Sequence, residues 1–313
     1  MATQNKQSRS LGNWLVDRVA RGLIATLLRL PHPARVATMG WVVRRIVGPL
    51  SGYSRRARAN LAYVWPGMSM ADRRRIARAV LDNVGRTLIE NYATDDQLAR
   101  ATGWQVHGAG LTAAQDALSQ NRPILFVSGH FGNYQAARAA MNVRGFSLGG
   151  LYRPLDNAYF NEHYVLTVEA VGGPAFARGR RGLASFMRYV KGGGHGALLI
   201  DQYYGDGAVV DFLGKPAPTA ISVGEIALKY NALVIPIYAR RLENGLDFDV
   251  LLEEPVPHTD PVTMTQALMD SLSAQVRARP GQWFWVHRRW KPERQAARRD
   301  AQQAARADGR DGR

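Results

Sequence analysis

The spacing of hydrophobic residues changes once along the 313-residue chain, near residue 104. Upstream, apolar residues recur every three or four positions among arginines, which is typical of amphipathic helices. Downstream, we predict strands at 104–107, 123–128, 146–152, 196–201, 233–240 and 246–252. We predict helices between and after them at 111–120, 134–143, 158–171, 180–191, 219–230 and 262–279. This alternation predicts an α/β fold with a mostly parallel central sheet flanked by helices.

The first helical segment, residues 11–30, is apolar along most of its length but is interrupted by Asp17, Arg18, Arg21 and Arg29. These charges make it unsuitable as a membrane-spanning helix. It also lacks the unbroken apolar core and the small-residue cleavage site of a signal peptide. A helix that lies in the membrane interface, with Trp and Leu on one face and arginines on the other, fits the pattern. The alternative is a helix packed against its own domain.

Further helical segments follow the first. One is predicted at 34–48, where Gly48-Pro49 should end it. A longer one is predicted at 72–93, because Ser69 and Asp72 resemble a capping box in front of a helical apolar pattern. We therefore divide the chain into three parts. Residues 1–95 form a basic helical membrane-associating region, residues 96–292 form an α/β domain, and residues 293–313 form a charged tail that is disordered or a solvated helix.

The charge of the chain requires an anionic partner, since its net charge is +16 and its pI is near 10.6. Residues 1–60 contain eleven Lys or Arg and one acid, Asp17. Those charges alternate with apolar residues, including Trp14 and Trp41, whereas a nucleic-acid-binding arm is usually more polar. The pattern favours an anionic membrane surface or an acidic carrier protein. The absence of cysteine excludes disulfides, thiolate metal sites and a Cys nucleophile, and it is compatible with a reducing compartment.

One histidine stands where chemistry is expected. The apolar run 124–128 predicts a buried strand that ends at Gly129-His130, and Gly132 allows the backbone to turn into the next helix. Open α/β sheets usually place their functional groups at such strand-to-helix junctions. Gln135, one helical turn later, can lie on the same side as the imidazole. The alternative is a core histidine beside an ordinary turn.

Six stretches of the chain, in order, form a recognisable set. They are Asn60-Leu61 with the helix that ends Gly85–Glu90, Gly129–Gln135, Leu151–Asn157, Leu199–Gln202 with Phe212–Thr219, Val234–Arg241, and Gln282–Lys291. Together they resemble the bacterial lipid A biosynthesis acyltransferases, relatives of the glycerophosphate and lysophospholipid acyltransferases. Each stretch is weakly specific by itself, but the ordered set covers residues 11–292.

The resemblance implies a glycerol-phosphate-acyltransferase-like fold and a membrane-associated O-acyltransferase. Such an enzyme moves a fatty acyl chain from a thioester of acyl carrier protein or CoA to a hydroxyl of a lipid acceptor. The attacking hydroxyl needs a base, and a neutral histidine is suited to this task near neutral pH. We therefore predict His130 as the general base. In the family's His-x4-acid motif, the acid would hold the imidazole ring and stabilise the imidazolium.

This chain has Gln135 where the resemblance implies Glu or Asp. A glutamine can still bond the ring through its carbonyl oxygen, but it supplies no counter-charge, and a comparable loss in a serine protease costs about 10⁴ in rate. We favour a substitution introduced to inactivate the enzyme and trap a substrate. The alternatives are a natural subfamily that uses Gln, and a protein that binds lipid without turnover.

The resemblance also implies substrate-binding residues. Arg153 is expected to anchor an anionic head group, because a guanidinium pairs bidentately with phosphate; a surface salt bridge is the alternative. Asp201 and Gln202 follow a strand and are expected to position a substrate hydroxyl or an arginine and to donate a hydrogen bond. At least one of Arg240 and Arg241, with Arg240 as the choice, is expected to join the phosphate cluster, and Asn133 to contact substrate.

No metal site is predicted, because the histidines lack the close spacing of a zinc-binding helix. The five predicted to be structural are His107, His163, His195, His258 and His287. The cluster of Trp283, Trp285 and Trp290 is left with two interpretations, a position at the membrane interface or a cap on the core.

The combined prediction is an enzyme at the cytoplasmic face of the bacterial inner membrane that requires no cofactor. Its expected partners are anionic lipids, an acyl carrier protein or acyl-CoA donor, and a lipid acceptor, with no nucleic acid. A lipid A precursor is the family expectation for the acceptor, and a lysophospholipid or lyso-aminolipid is the alternative. A non-catalytic lipid-binding protein is the second hypothesis. A nucleic-acid-binding protein is the third and rests on charge alone.

Overall fold

The computed structural model describes residues 9–293. Its α-helices are α1 Leu11–Leu28, α2 His32–Val42, α3 Gly48–Leu50, α4 Tyr53–Val64, α5 Met70–Glu90, α6 Thr94–Ala101, α7 Ala109–Ser119, α8 Tyr134–Asn142, α9 Ala158–Ala170, α10 Arg180–Lys191, α11 Ser222–Tyr230 and α12 Pro261–Ala278. Its strands are β1 Gln105–His107, β2 Ile124–Ser128, β3 Leu148–Tyr152, β4 Ala175–Ala177, β5 His195–Leu199, β6 Ala208–Phe212, β7 Lys215–Thr219, β8 Leu233–Arg241 and β9 Phe248–Leu252.

Seven of these strands form one sheet in the order β1-β9-β8-β2-β5-β3-β4. Every neighbouring pair is parallel except β8 with β9. The six strands and six helices predicted beyond residue 104 are all present, with ends that move by at most three residues. The predicted α/β class with a mostly parallel, helix-flanked sheet is therefore confirmed.

The sequence pattern missed β4, β6 and β7. The first has only three residues, and the other two form a separate antiparallel hairpin. Pro216 and Pro218 argue against a strand, but β7 tolerates them because it pairs only with β6. Leu213 and Gly214, both with positive φ, make the tight turn that joins the two strands.

The sheet separates two hydrophobic clusters. Leu125 and Val127 of β2 pack on one face with Phe186 of α10, while Phe126 packs on the other face among the alanines of α8. A parallel strand covered on both faces buries every residue, and all five residues of β2 are buried.

The N-terminal helices pack against the α/β unit and against each other. The cap predicted at Ser69 is confirmed, since its hydroxyl accepts from the Asp72 N–H at 3.0 Å. The predicted end at Gly48-Pro49 is wrong, because a π-helical turn at Val43–Val47 leads into α3. A proline ring clashes with the carbonyl four residues earlier in a regular α-helix, and the wider turn relieves that clash.

Helix α1 packs against its own domain through one face, and the interpretation that its other face lies in a membrane stays a prediction. Its inner face meets α9, where the Asn157 amide donates to the Asn13 carbonyl at 2.7 Å and the fully buried Asp17 pairs with Arg21 at 2.8 Å. Its outer face leaves apolar side chains more than half exposed at Leu11, Leu15, Val16, Val19 and Leu23. We call these five residues the α1 stripe.

The tryptophan cluster belongs to the core. Trp283, Trp285 and Trp290 are at most 6% exposed, and the Trp283 and Trp285 ring centroids lie 4.8 Å apart. The interpretation that places them at a membrane interface is therefore wrong. The predicted tail at 293–313 lies almost entirely outside the described residues.

Candidate active site

The end of β2 brings His130 to the carboxyl edge of the sheet. The chain then turns through Gly132, whose φ is +56°. A Cβ at this position would lie 1.8 Å from the Ala239 carbonyl oxygen, so no other residue fits the turn. Asn133 caps α8 by accepting from the N–H groups of Gln135 and Ala136. The turn and the cap together fix the direction in which the imidazole leaves the sheet.

The partner of the His130 ring is Asp201, which follows β5 on the neighbouring strand. The ring Nδ1 lies 2.7 Å from Asp201 Oδ1, and the His130 backbone N–H donates to Oδ2 at 2.7 Å. The Trp283 indole N–H donates to the same Oδ2 at 2.8 Å. The carboxylate is completely buried, and these bonds hold it in one orientation. With Nδ1–H donating to the carboxylate, Nε2 of the neutral ring carries the lone pair.

The two groups change each other's protonation. Burial alone would lower the pKa of His130, but the charge and the hydrogen bond of Asp201 raise it above its ordinary value of 6.5. Burial would raise the pKa of Asp201, but the imidazole, its hydrogen bonds and the nearby His287 hold that pKa well below the usual range of aspartate. The carboxylate therefore stays ionised and can stabilise an imidazolium.

Three rings surround the imidazole of His130. The ring centroids of Tyr134, His287 and Phe284 lie 5.6, 5.5 and 6.1 Å away. Burial lowers the pKa of His287 to about 4, so this second imidazole is neutral at physiological pH and does not compete for the Asp201 charge. Its Nε2 is buried without a hydrogen-bond partner.

A cavity of about 380 Å³ begins beside the imidazole of His130. Most of its lining is apolar, and side chains from both faces of the sheet contribute to it. Residues Tyr134, Gln135, Arg138 and Tyr164 supply a polar wall on the α8 side. Arg153, Arg178 and Gln202 lie at its mouth, where Arg289 donates to the Gln202 carbonyl at 3.2 Å. The cavity combines an apolar lining with a polar wall and a charged mouth, as a site for an amphiphilic ligand would.

Gln135 does not hold the imidazole. Its side-chain oxygen accepts from the Arg138 guanidinium at 2.8 Å, while the ring nitrogen is bonded to Asp201. The expectation that residue 135 orients His130 is wrong, because the Gln135 side chain contacts Arg138, one helical turn further along α8, and does not contact the imidazole. Burial lowers the pKa of Arg138 to about 10, and its partners are Gln135 and backbone carbonyls.

Two predicted substrate contacts lie away from the cavity. Asn133 is completely buried, and its amide donates to Glu90 at 2.9 Å, so it supports the turn instead of touching substrate. Arg240 pairs with Asp249 of β9 and lies 3.1 Å from His107 of β1, so its side chain is on the β9 and β1 side of the sheet. Both expectations are corrected, since residues 240 and 133 direct their side chains into internal hydrogen bonds.

The remaining predicted residues are brought together. His130, Arg153 and Gln202 line the cavity, and Asp201 lies directly behind the imidazole. Arg153 is exposed and lies 3.3 Å from Asp156. The substrate-binding roles of Arg153 and Gln202 stay predictions, whereas the role expected of Asp201 is corrected, because its two oxygens accept from His130 and Trp283.

Sequence reasoning missed several residues of the site. Tyr134, Arg138 and Tyr164 line the cavity, and Ser128 lies just below His130 on β2 with a buried hydroxyl that has no partner. The sequence could have indicated Tyr134 and Arg138 as site residues, since positions four apart share one face of α8. Tyr164 could not be predicted in this way, because α9 has no clear amphipathic pattern that would show which of its faces is buried.

A buried ion pair lies beneath the turn at Gly132. Arg241 bonds both carboxylate oxygens of Glu90, at 2.5 and 2.7 Å, and also the Asn83 amide oxygen at 2.8 Å. Asn83 in turn donates to the Gly132 carbonyl at 3.0 Å. This network joins α5, β8 and the turn, so the helical N-terminal part of the chain supports the position of His130.

An imidazole that a buried carboxylate holds beside an apolar cavity can take a proton from a hydroxyl group of an amphiphilic substrate. Within residues 9–293, no three His, Asp or Glu side chains come together as metal ligands would. No helix in the same range has both the length and the apolar character that crossing a bilayer requires.

The chain belongs to the bacterial lipid A biosynthesis acyltransferase family, whose family model matches residues 1–292. It is therefore an acyltransferase that acts on a lipid acceptor. It is 25% identical over 283 residues to the lipid A biosynthesis lauroyltransferase of Escherichia coli K12, a match that covers 86% of this chain and 89% of the relative. It is 21% identical over 234 residues to the lipid A biosynthesis acyltransferase of Haemophilus influenzae, covering 74% and 73%.

Proposed function

We propose that this chain transfers a fatty acyl group from a thioester, carried by acyl carrier protein or CoA, to a hydroxyl of a membrane lipid, with His130 as general base. The observation that carries this proposal is the bond between His130 Nδ1 and the buried Asp201, which leaves Nε2 to accept a proton beside the cavity. A lipid A precursor is the proposed acceptor. A lysophospholipid or lyso-aminolipid is the alternative.

In the proposed reaction, His130 Nε2 takes the proton of the acceptor hydroxyl as its oxygen attacks the thioester carbonyl. A carbon–oxygen bond forms and the carbonyl becomes an oxyanion. The oxyanion then collapses, the carbon–sulfur bond breaks, and the imidazolium returns its proton to the departing thiolate. Asp201 stabilises the imidazolium between the two steps. No protein nucleophile is needed, which agrees with the absence of cysteine.

The arrangement around Asp201 changes the interpretation of Gln135. The sequence alone favoured an inactivating substitution, since a neutral residue stood where an acid was expected. A counter-charge from Asp201 supports the alternative of a natural active form that uses Gln at position 135. We therefore propose that the chain as it stands catalyses acyl transfer.

The experiment is an assay of the purified chain with acyl carrier protein and CoA thioesters against the three acceptor classes. We expect His130→Gln to lower kcat by about 10²–10⁴-fold, the usual contribution of a general base. His258→Gln, at an exposed histidine that bonds the Ala232 carbonyl, is the matched control. Activity of His130→Gln within tenfold of the parent would contradict the assignment. Lipid binding without acylation from any donor would support a lipid-binding protein.

We further propose that α1 lies in the surface of the inner membrane, on its cytoplasmic side. The α1 stripe supports this, because it presents adjacent apolar side chains outward, with the exposed Arg18 and Arg29 beside it. Such a helix inserts its apolar face among the acyl chains and keeps its arginines at anionic head groups. Helix α9, which α1 contacts, also lines the cavity, so a lipid entering from the membrane would reach His130 by a short path.

Vesicle flotation tests the orientation of α1. The double variant Leu15→Gln with Leu23→Gln is expected to lose binding to anionic vesicles at both low and high salt. Ala25→Gln, at an exposed site beside the stripe, is the matched control. Complete release of the parent chain by high salt would contradict insertion, since salt screens charges but does not weaken apolar burial.

A further inference from the structure

The cavity can be described in two parts, one on each face of the sheet, because its lining residues come from both faces. Strand β5 divides them, because Ala197 and Leu199 line the cavity on the α8 side while Leu198 and Ile200 line it on the α10 side. We call the first part the α8 branch. It is formed by Phe126, Ser128, Leu148, Gly150, Val168 and Ala197.

The strand register defines the depth of the α8 branch. Phe126, Ala197 and Gly150 form one row across β2, β5 and β3. This row lies four residues below His130 on the same face of the sheet, a distance of about 13 Å at the rise of an extended strand. An extended hydrocarbon chain of about ten carbons has this length, from the carbon–carbon bond length and angle. Two of the three residues in the row are small, which leaves space between the sheet and the helices.

The backbone at Gly150 does not require a glycine, so the absence of a side chain there only leaves space in the cavity. A Cβ built there would meet nothing closer than the Ala197 carbonyl oxygen at 3.5 Å, and its φ is not left-handed. Its N–H donates to the Pro174 carbonyl at 3.0 Å, a bond that any residue except proline can make. A larger side chain at position 150 is therefore compatible with the strand, and it would occupy the cavity.

The branch is closed below Gly150. Leu148, the next residue of β3 on this face, is 1% exposed, and its carbonyl accepts from Arg138 at 2.8 Å. At the upper end, Ser128 is 6% exposed and its hydroxyl has no partner. A buried hydroxyl without a partner is costly, and a ligand oxygen beside His130 would satisfy it. The branch thus has a polar entrance and an apolar closed end, the polarity of an acyl thioester.

We propose that the α8 branch holds the acyl chain of the thioester donor and that Gly150 sets the longest chain it accepts. This inference rests on the proposed acyl transfer. The chain runs down from His130 over Ala197 and Gly150, and its end stops at Leu148. A larger side chain at position 150 would occupy the lower end of the α8 branch and so reduce the length of acyl chain that fits.

The test is the chain-length profile of Gly150→Val and Gly150→Leu. Each methylene excluded from an apolar site costs about fourfold in affinity, so donors of about ten or more carbons should lose at least tenfold in kcat/KM while a six-carbon donor changes less than about threefold. Ala220→Val, at a cavity-lining residue outside the α8 branch, is expected to leave the preferred length in place. Equal losses at every length, or an unchanged profile, would overturn the proposal.

A binding measurement separates this inference from the proposed function. Saturated fatty acids from about six to about sixteen carbons are titrated into the parent and Gly150→Leu by calorimetry, since affinity rises with each buried methylene until the chain no longer fits. If neither protein transfers acyl groups but Gly150→Leu shortens the longest chain bound, the acyl site stands and the enzyme proposal fails. If the longest chain bound is the same in both, the assignment of Gly150 is wrong. Thermal unfolding of each variant verifies that it is folded.

Discussion

Asp201 accepts two hydrogen bonds from His130, one from the ring at Nδ1 and one from the backbone N–H, both 2.7 Å long. The two residues are 71 positions apart in the sequence and follow neighbouring parallel strands. Because both oxygens of the carboxylate are used and Trp283 donates a third bond, the imidazole has one stable orientation. The acid that serves this histidine comes from another strand, not from the following helical turn.

Asp201→Asn is expected to lower kcat by about 10⁴-fold, as a carboxylate-to-amide change does in a serine protease. The amide keeps the shape of the side chain but removes the counter-charge and can favour the wrong tautomer of His130. Steady-state kinetics with a saturating donor measures the effect. Asp206→Asn, at an exposed site on the same loop, serves as the comparison. If Asp201→Asn keeps more than a tenth of the activity, the orienting role of the carboxylate is disproved.

The pH dependence of kcat/KM should have its acid limb above pH 6.5. Only neutral His130 can take a proton, and Asp201 raises the pKa of His130 above 6.5, so activity falls as the pH drops through that raised value. In Asp201→Asn the burial of His130 acts without the compensating charge, so the limb should move to lower pH. A pH–rate profile of both proteins tests this. A limb that stays in place in the variant would contradict the coupling.

The same pair should stabilise the fold within a defined pH window. The raised pKa of His130 contributes stability that is full below its unfolded pKa and is lost as the pH rises through the folded value. The lowered pKa of Asp201 contributes stability above about pH 4 that is lost as the pH falls through its folded value. We therefore expect chemical denaturation from pH 4 to pH 9 to show the largest loss in the free energy of unfolding of Asp201→Asn, relative to the parent, between about pH 4 and pH 6.5. An equally large loss in the free energy of unfolding at pH 9 would mean that the variant loses hydrogen bonds and not a charge interaction.

Gln135→Glu should change the acyl transfer rate by less than about tenfold, because the ring of His130 already has a carboxylate partner. The new carboxylate would instead lie beside the Arg138 guanidinium, which Gln135 now contacts at 2.8 Å. Kinetics of the variant and parent, measured together, decide the matter. A gain of several orders of magnitude would mean that Gln135 inactivates the enzyme, and the sequence interpretation would then be right.

The buried ion pair of Glu90 and Arg241 should be important for stability. Removing one partner leaves an uncompensated buried charge, which typically costs about 3–5 kcal/mol. Glu90→Gln is therefore expected to lower the free energy of unfolding by that amount, measured by urea denaturation. Asp72→Asn, which affects an exposed pair with Arg75 at 3.0 Å, should cost less than about 1 kcal/mol. Equal losses in the two variants would argue against a special role for the buried pair.

Most of the architecture could be predicted from local patterns. The run 124–128 and the helix 180–191 were recognisable because a buried parallel strand and an amphipathic helix each have a characteristic spacing of apolar residues. The position of His130 at the end of β2 followed from the same pattern. The hairpin of β6 and β7 did not, because Pro216 and Pro218 suppress the local signal for a strand that a partner strand stabilises.

The sequence by itself determined the α/β class, the basic N-terminal helices and the histidine at the edge of the sheet, because each depends on residues close together in the chain. The tertiary structure decided that Asp201 is the partner of His130, that Arg240 is directed elsewhere and that Gly150 borders the cavity. The reason is physical: strand order and register bring together residues that are far apart in sequence, and no local spacing encodes which strands become neighbours.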